Sequence, residues 1–177
     1  MFGGYAGIGA ISATDTKIFN AGDFSAGSDL AIVAFGAGTE IYNTGRITGF
    51  VALTDEGDTF LNQKGGVFET KLVSDFGGGS DLFQNQGGGT VQAATNRNAA
   101  EKSSFVNLER FSNAGLISLV DGATGDIFRI SNAPPQPAAS SSTAGLLSTP
   151  PATRRWGWMR FSAAQGPPPT VSSSTAM

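Results

Sequence analysis

The chain of 177 residues has no cysteine and no histidine, and only 11 basic and 14 acidic side chains. Without cysteine there are no disulfides, thiolate metal sites or thiol nucleophiles. Without histidine the commonest metal ligand and the commonest general base are missing. A net charge of −3 offers no electrostatic footprint for nucleic acid or for an anionic membrane surface. No apolar run approaches the ~18 residues of a membrane-spanning helix, and amphipathic strands spaced as in a membrane barrel are missing too. The opening segment from Met1 to Ile11 is uncharged and broken by four glycines, a poor match to a secretory signal. Export, if it occurs, is expected to depend on a signal outside this chain.

What is present divides unevenly. Residues 1–132 hold 22 of the 25 glycines, 12 of the 13 phenylalanines, all 14 acids and eight of the bases. Residues 133–177 hold all eight prolines, both tryptophans, and only Arg154, Arg155 and Arg160 as charged side chains. Ala, Ser, Thr and Pro make up 29 of those 45 residues. This tail has too few long apolar side chains to bury a core and is expected to be disordered. It reads either as a linker or as out-of-frame translation beginning after about Ala133.

Residues 1–132 are repetitive. Asp58-Thr59-Phe60-Leu61-Asn62-Gln63-Lys64-Gly65 is echoed by Asp81-Leu82-Phe83-Gln84-Asn85-Gln86-Gly87 and by Glu109-Arg110-Phe111-Ser112-Asn113-Ala114-Gly115. Glu40-Ile41-Tyr42-Asn43-Thr44-Gly45 is one residue shorter. Ile18-Phe19-Asn20-Ala21-Gly22 and Asp126-Ile127-Phe128-Arg129-Ile130-Ser131-Asn132 are weaker outer copies. The asparagines fall at 20, 43, 62, 85, 113 and 132, with intervals of 23, 19, 23, 28 and 19 residues. That period suits one coil of a β-solenoid. A second phrase, Phe24 to Asp29, Phe35 to Glu40 and Phe76 to Asp81, reads as a Gly-rich turn leading into a strand.

The segments between turns, Gly45–Leu53, Gly66–Val73 and Gly115–Val120, alternate with period two and are rich in β-branched and aromatic residues. The polar stretch Ala94–Ser104 reads as a loop bulging from one coil. Arg97–Arg110 is the one helical candidate, with residues a helix does not favour. The expectation is all-β: a right-handed parallel β-helix of five to six coils of about 19–23 residues over 1–132. In such a stack Phe60, Phe83 and Phe111 form an interior ladder. Each Asn stands at a corner, in left-handed backbone, with its amide hydrogen-bonded to the next coil. The Gly that follows supplies positive φ and lets the next strand start near the axis.

The D-x-F-x-N-x-G and F-G-x-G-[ST]-[DE] phrases, with the Gly/Asn/Phe balance and the lack of cysteine, resemble the β-helical passenger region of bacterial autotransporters over about residues 15–132. The resemblance implies a secreted, cell-surface protein, exported through an outer-membrane barrel that this chain lacks. It implies an adhesin or stalk that meets a host or environmental surface or glycan. The chain starts in mid-repeat and ends without a cap, so a fragment of a longer passenger is expected.

Three acidic groups carry the competing chemical readings. Asp55, Glu56 and Asp58 form the tightest cluster, and a polysaccharide-acting β-helix enzyme would need them, with a base such as Lys64, on one strand face. Asp81 after Gly77-Gly78-Gly79-Ser80 is similar to a calcium-binding nonapeptide, although Phe76 and Thr90 stand where that pattern has glycine and an acid. Asp121 and Asp126 flank a Gly-rich turn and could ligate a cation. Solvated corner acids and plain turns are the preferred readings of all three. No catalytic, cofactor or metal residue is assigned, and no glycine phrase opens a helix or carries a phosphate-loop lysine.

Overall fold

The computed structural model describes residues 2–3 and 5–133, all of which belong to the first of two units, 1–139 and 140–177. The tail expected to be disordered lies outside the described residues except for Ala133. The first coil holds β1 (Phe2–Gly3), β2 (Ile8–Ser12) and β3 (Thr16–Asn20), and the second holds β4 (Asp23–Gly36) and β5 (Thr39–Asn43). In the third are β6 (Arg46–Ala52) and β7 (Thr59–Asn62), and in the fourth β8 (Val67–Glu69), β9 (Val73–Asp75) and β10 (Leu82–Asn85). The fifth has β11 (Thr90–Gln92), β12 (Lys102–Val106) and β13 (Arg110–Asn113), after which β14 (Leu116–Ser118) and β15 (Ile127–Ile130) open a further coil. The described residues contain no helix, and every strand pairing among them is parallel.

The result is a β-solenoid of about five turns built on two sheets. One sheet runs β3-β5-β7-β10-β13. The other is folded along its length: β4 and β6 run through the fold, whereas in later coils the same path is cut into β8 with β9, and β11 with β12. The fold line passes through Asp29, Gly49 and Leu72, which share one register position and all have positive φ, of 61°, 128° and 52°. Only Gly49 reaches that region without steric cost.

Period-two alternation sends one face of each strand to the axis. The interior column of the β3 sheet is Ile18, Ile41, Phe60, Phe83 and Phe111. The facing arm contributes Phe24, Ile47, Phe68, Val91 and Ile117. Phe60, Phe68, Phe83 and Phe105 are fully buried, with ring centroids 4.8 Å apart for Phe60–Phe68 and for Phe83–Phe105. The expected phenylalanine ladder therefore exists in coils three to five.

Several expectations need correction. In the first two copies the aromatic residue stands one place nearer the asparagine, so Ile18 and Ile41 point inward while Phe19 and Tyr42 stack on the outer face at 4.8 Å. The sixth copy is not a copy in space: Phe128 pairs with Ser103 across β12 and β15, on the other sheet. Phe24–Asp29 lies within β4 rather than in a turn, while the Gly36 and Gly77 phrases do turn the chain. Both the loop Ala94–Ser104 and the helix candidate Arg97–Arg110 give way to strand at Lys102, where β12 pairs with β9 and β15. The ladder asparagines are not in left-handed backbone; among the described residues that region is taken by Asp29, Leu72 and Asn107 besides glycines.

Past the first corner, the glycine after each asparagine acts mainly through close approach. Gly22, Gly45, Gly66, Gly89 and Gly115 form one column, immediately before Asp23, Arg46, Val67, Thr90 and Leu116 in the paired strands. A Cβ on Gly66 would stand 2.6 Å from Asn62 Oδ1, and one on Gly115 would stand 2.6 Å from Asn85 Nδ2. Gly65 and Gly88, with φ of 86°, belong to the two-residue insertions that lengthen this corner in coils three and four.

Candidate functional site

The residues that recur in the sequence converge on two inter-coil columns. The first is amide. Asn20 Nδ2 donates to Asn43 Oδ1 at 2.8 Å, Asn43 to Asn62 at 2.8 Å, Asn62 to Asn85 at 2.8 Å and Asn85 to Asn113 at 2.7 Å. The second hydrogen of each amide is directed to the backbone near the start of the next coil, as from Asn62 to Thr90 O at 3.0 Å and from Asn85 to Leu116 O at 3.1 Å. Asn43, Asn62 and Asn85 are fully buried. In that setting each bond removed leaves an unpaired polar group, which costs about 1–3 kcal/mol.

The second column precedes the β3 sheet and consists of Thr39, Asp58, Asp81 and Glu109 at one register position. Each carboxylate accepts the backbone N–H of its equivalent in the preceding coil. Thr39 N donates to Asp58 Oδ1 at 2.6 Å, Asp58 N to Asp81 Oδ1 at 2.7 Å and Asp81 N to Glu109 Oε2 at 2.8 Å. Asp58 also accepts from Thr54 N at 2.8 Å. Burial pushes the Asp58 carboxyl above the usual carboxylate range, partly offset by the N–H groups of Thr39 and Thr54. Burial, opposed by the Asp58 N–H and reinforced by the neighbouring Asp58 and Glu109 carboxylates, lifts Asp81 to about 7. Asp126 repeats the device on the other side of the coil, accepting Glu101 N at 2.8 Å.

This geometry separates the acids grouped by sequence. Asp55 and Glu56 are exposed at the corner, whereas Asp58 is fully buried and bonded to two coils. Lys64 lies past the opposite end of β7. The three carboxylates and the lysine do not line one strand face. Asp81 is turned into the fold rather than toward a loop cation. Asp121 Oδ1 closes its own turn by accepting Ala123 N at 2.7 Å, while Asp126 is directed at Glu101 N, so these two do not converge either. Among the described residues no three acidic side chains are arranged to hold a metal ion.

The outer surface carries features that the repeat did not announce. On the β3 sheet Lys17 Nζ meets Glu40 at 3.0 Å, and Tyr42 Oη donates to the same carboxylate beside the Phe19 ring. The Tyr42 hydroxyl and then Lys17 hold Glu40 below the usual carboxylate range. At the fold line a cleft of about 270 Å³ is bordered by Asp29, Lys71, Leu72, Glu101 and Lys102. Lys71 Nζ bridges to Asp29 Oδ1 at 2.9 Å, two coils away and across the position of Gly49. One wall is the loop between β11 and β12, tied down by Glu101, which accepts the N–H groups of Thr95 and Asn96. A wider depression of about 540 Å³ lies among Asp15, Gly36, Gly38, Glu56 and Gly57. The Lys17–Glu40 pair went unread, although its separation of one coil, 23 residues, is the signal that would have found it. The Lys71–Asp29 pair carries no such signal, because its 42 residues span a glycine that has no side chain to mark the path.

The chain matches no family model, no curated protein and no solved structure.

Proposed function

We propose that residues 1–132 are a non-catalytic structural or adhesive section of an autotransporter-type surface protein, and that they act outside the cell on a host or environmental surface or glycan. The observation that supports this most is how the repeated polar residues are used. Asn43, Asn62, Asn85, Asp58 and Asp81 are buried and spent on bonds between coils. Side chains that serve coil stacking are not available to a substrate, and a stack of this kind makes a stiff, repetitive surface. Contact with a partner then falls to the outer face, where the Phe19–Tyr42 stack and the Lys71–Asp29 cleft combine apolar and charged groups.

The test uses the full chain immobilised on beads. Retention on glycan-coated or matrix-coated surfaces, reduced by Tyr42→Ala or Lys71→Ala without loss of folding, is the expected outcome. Release of new reducing ends from polygalacturonate, abolished by Asp55→Asn or Glu56→Gln, would replace this reading with an enzymatic one.

A further inference from the structure

Two buried atoms of this column have no hydrogen-bond partner, Thr39 Oγ1 and Asp81 Oδ2, and only the second belongs to a carboxyl group. Asp81 Oδ1 accepts the Asp58 N–H, but Asp81 Oδ2 is buried and has no hydrogen-bond partner. A buried carboxylate oxygen without a donor is costly. The groups that act electrostatically on it are acids: Asp58 from the third coil and Glu109 from the fifth. Glu56, the charge that bears on Asp58, is acidic as well. Within its own turn, Asp75 is occupied by the Gly77 N–H and by Asn107 Nδ2. The nearest cation in sequence, Lys71, bridges to Asp29, and Arg110, which pairs in register with Leu82, is exposed and faces outward.

What this oxygen lacks is a positive partner, and the smallest that fits is a proton. Once protonated, Asp81 Oδ2 becomes a donor in the neighbourhood of the Glu109 carboxylate, whose Oε2 already accepts the Asp81 backbone N–H at 2.8 Å. Glu109 is exposed, so the proton has a path to solvent. We infer that Asp81 takes up a proton on its buried Oδ2 and that, with Glu109, it forms a pH-sensitive clasp between the fourth and fifth coils, tight in mild acid and loosened when Asp81 is ionised.

The sign follows from linkage. Asp81 has a folded-state value of about 7 against about 4 in an unfolded chain. The folded form therefore binds the proton more tightly, and stability rises as pH falls from above 7 toward 4. This is the reverse of a salt-bridged carboxylate. Asp81→Asn keeps the Oδ1 acceptor for the Asp58 N–H and supplies a permanent donor in place of Oδ2–H.

The experiment is thermal unfolding of the full chain at pH 5.5 and pH 8.5, with the Asp81→Asn and Glu109→Gln variants. Wild type is expected to melt at least about 5 °C higher at pH 5.5. Asp81→Asn should lose that difference and exceed wild type at pH 8.5, and Glu109→Gln should shrink the difference. Infrared spectra at pH 6 should show the carbonyl band of a protonated carboxylic acid in wild type, absent from Asp81→Asn. This keeps the test informative if one variant folds poorly. Parallel pH profiles for wild type and Asp81→Asn, or no acid band, would overturn the clasp. So would a rise in melting temperature on adding 2 mM Ca²⁺ at pH 8.5 that is seen in wild type alone, since the free oxygen would then be a cation ligand.

Discussion

The first two coils and the three that follow present the same segment of the β3 sheet in the same register, Ile-Phe-Asn and Ile-Tyr-Asn against Phe-Leu-Asn, Phe-Gln-Asn and Phe-Ser-Asn. They differ in the side on which the ring stands. Two places before the asparagine, as at Phe60 and Phe83, the ring is fully buried; one place before it, as at Phe19, it is 73% exposed. Because side chains alternate, a shift of one residue exchanges core for surface. The halves also differ at the corner, where Thr16 and Thr39 in the early coils give way to Asp58, Asp81 and Glu109. On the β3 sheet the early coils stack aliphatic side chains inward and leave Phe19 and Tyr42 on the outer face. The later coils are an aromatic stack clasped by carboxylates.

The strongest way to break this comparison is to delete rings on each side of it. Phe83→Ala should cost about 3–5 kcal/mol in denaturant unfolding, because it opens a cavity among Phe60, Phe105 and Phe111. Phe19→Ala should cost under about 1 kcal/mol. Equal losses would mean that the two rings do not occupy opposite faces. Next in size is the amide column. Asn62→Ala removes donors and acceptors shared with three coils and should cost about 3 kcal/mol, whereas Asn20→Ala at the column's start should cost about 1 kcal/mol.

The glycine column contrasts the first corner with those stacked after it. Gly66→Ala places a methyl 2.6 Å from Asn62 Oδ1 and should cost about 2 kcal/mol, while the Cβ of Gly22→Ala meets nothing within 4 Å and should change stability by under about 0.5 kcal/mol. Last comes the surface. Removing the 2.8 Å Arg46–Glu69 pair by Arg46→Ala should cost between about 0.2 and 1 kcal/mol, and the loss should shrink in 1 M salt.

The period was legible because Asp, Phe, Asn and Gly each have a separate task at a fixed offset, so Phe60, Phe83, Asn62 and Asn85 could be placed before any coordinates. Exceptions arose where an offset changed. Phe19 and Tyr42 moved to the outer face by one residue. The Asp126–Asn132 segment carries the right letters, but Phe128 lies on the wrong sheet. The acids looked chemical in sequence because one-dimensional proximity groups Asp58 with Asp55 and Glu56. In space Asp58 belongs with Asp81, 23 residues away.

The most direct measurement of the stacked-coil register exploits the absence of native cysteine. Leu61 and Gln84 are outward neighbours in β7 and β10, about 4.8 Å apart at strand spacing, within the Cα range a disulfide accepts. The Leu61→Cys/Gln84→Cys protein should form an intramolecular disulfide readily under mild oxidation. Tyr42→Cys/Gln84→Cys, two coils apart and so separated by about 9.6 Å, should not. Comparable disulfide yields from the two pairs, or a preference for the second, would contradict the stack.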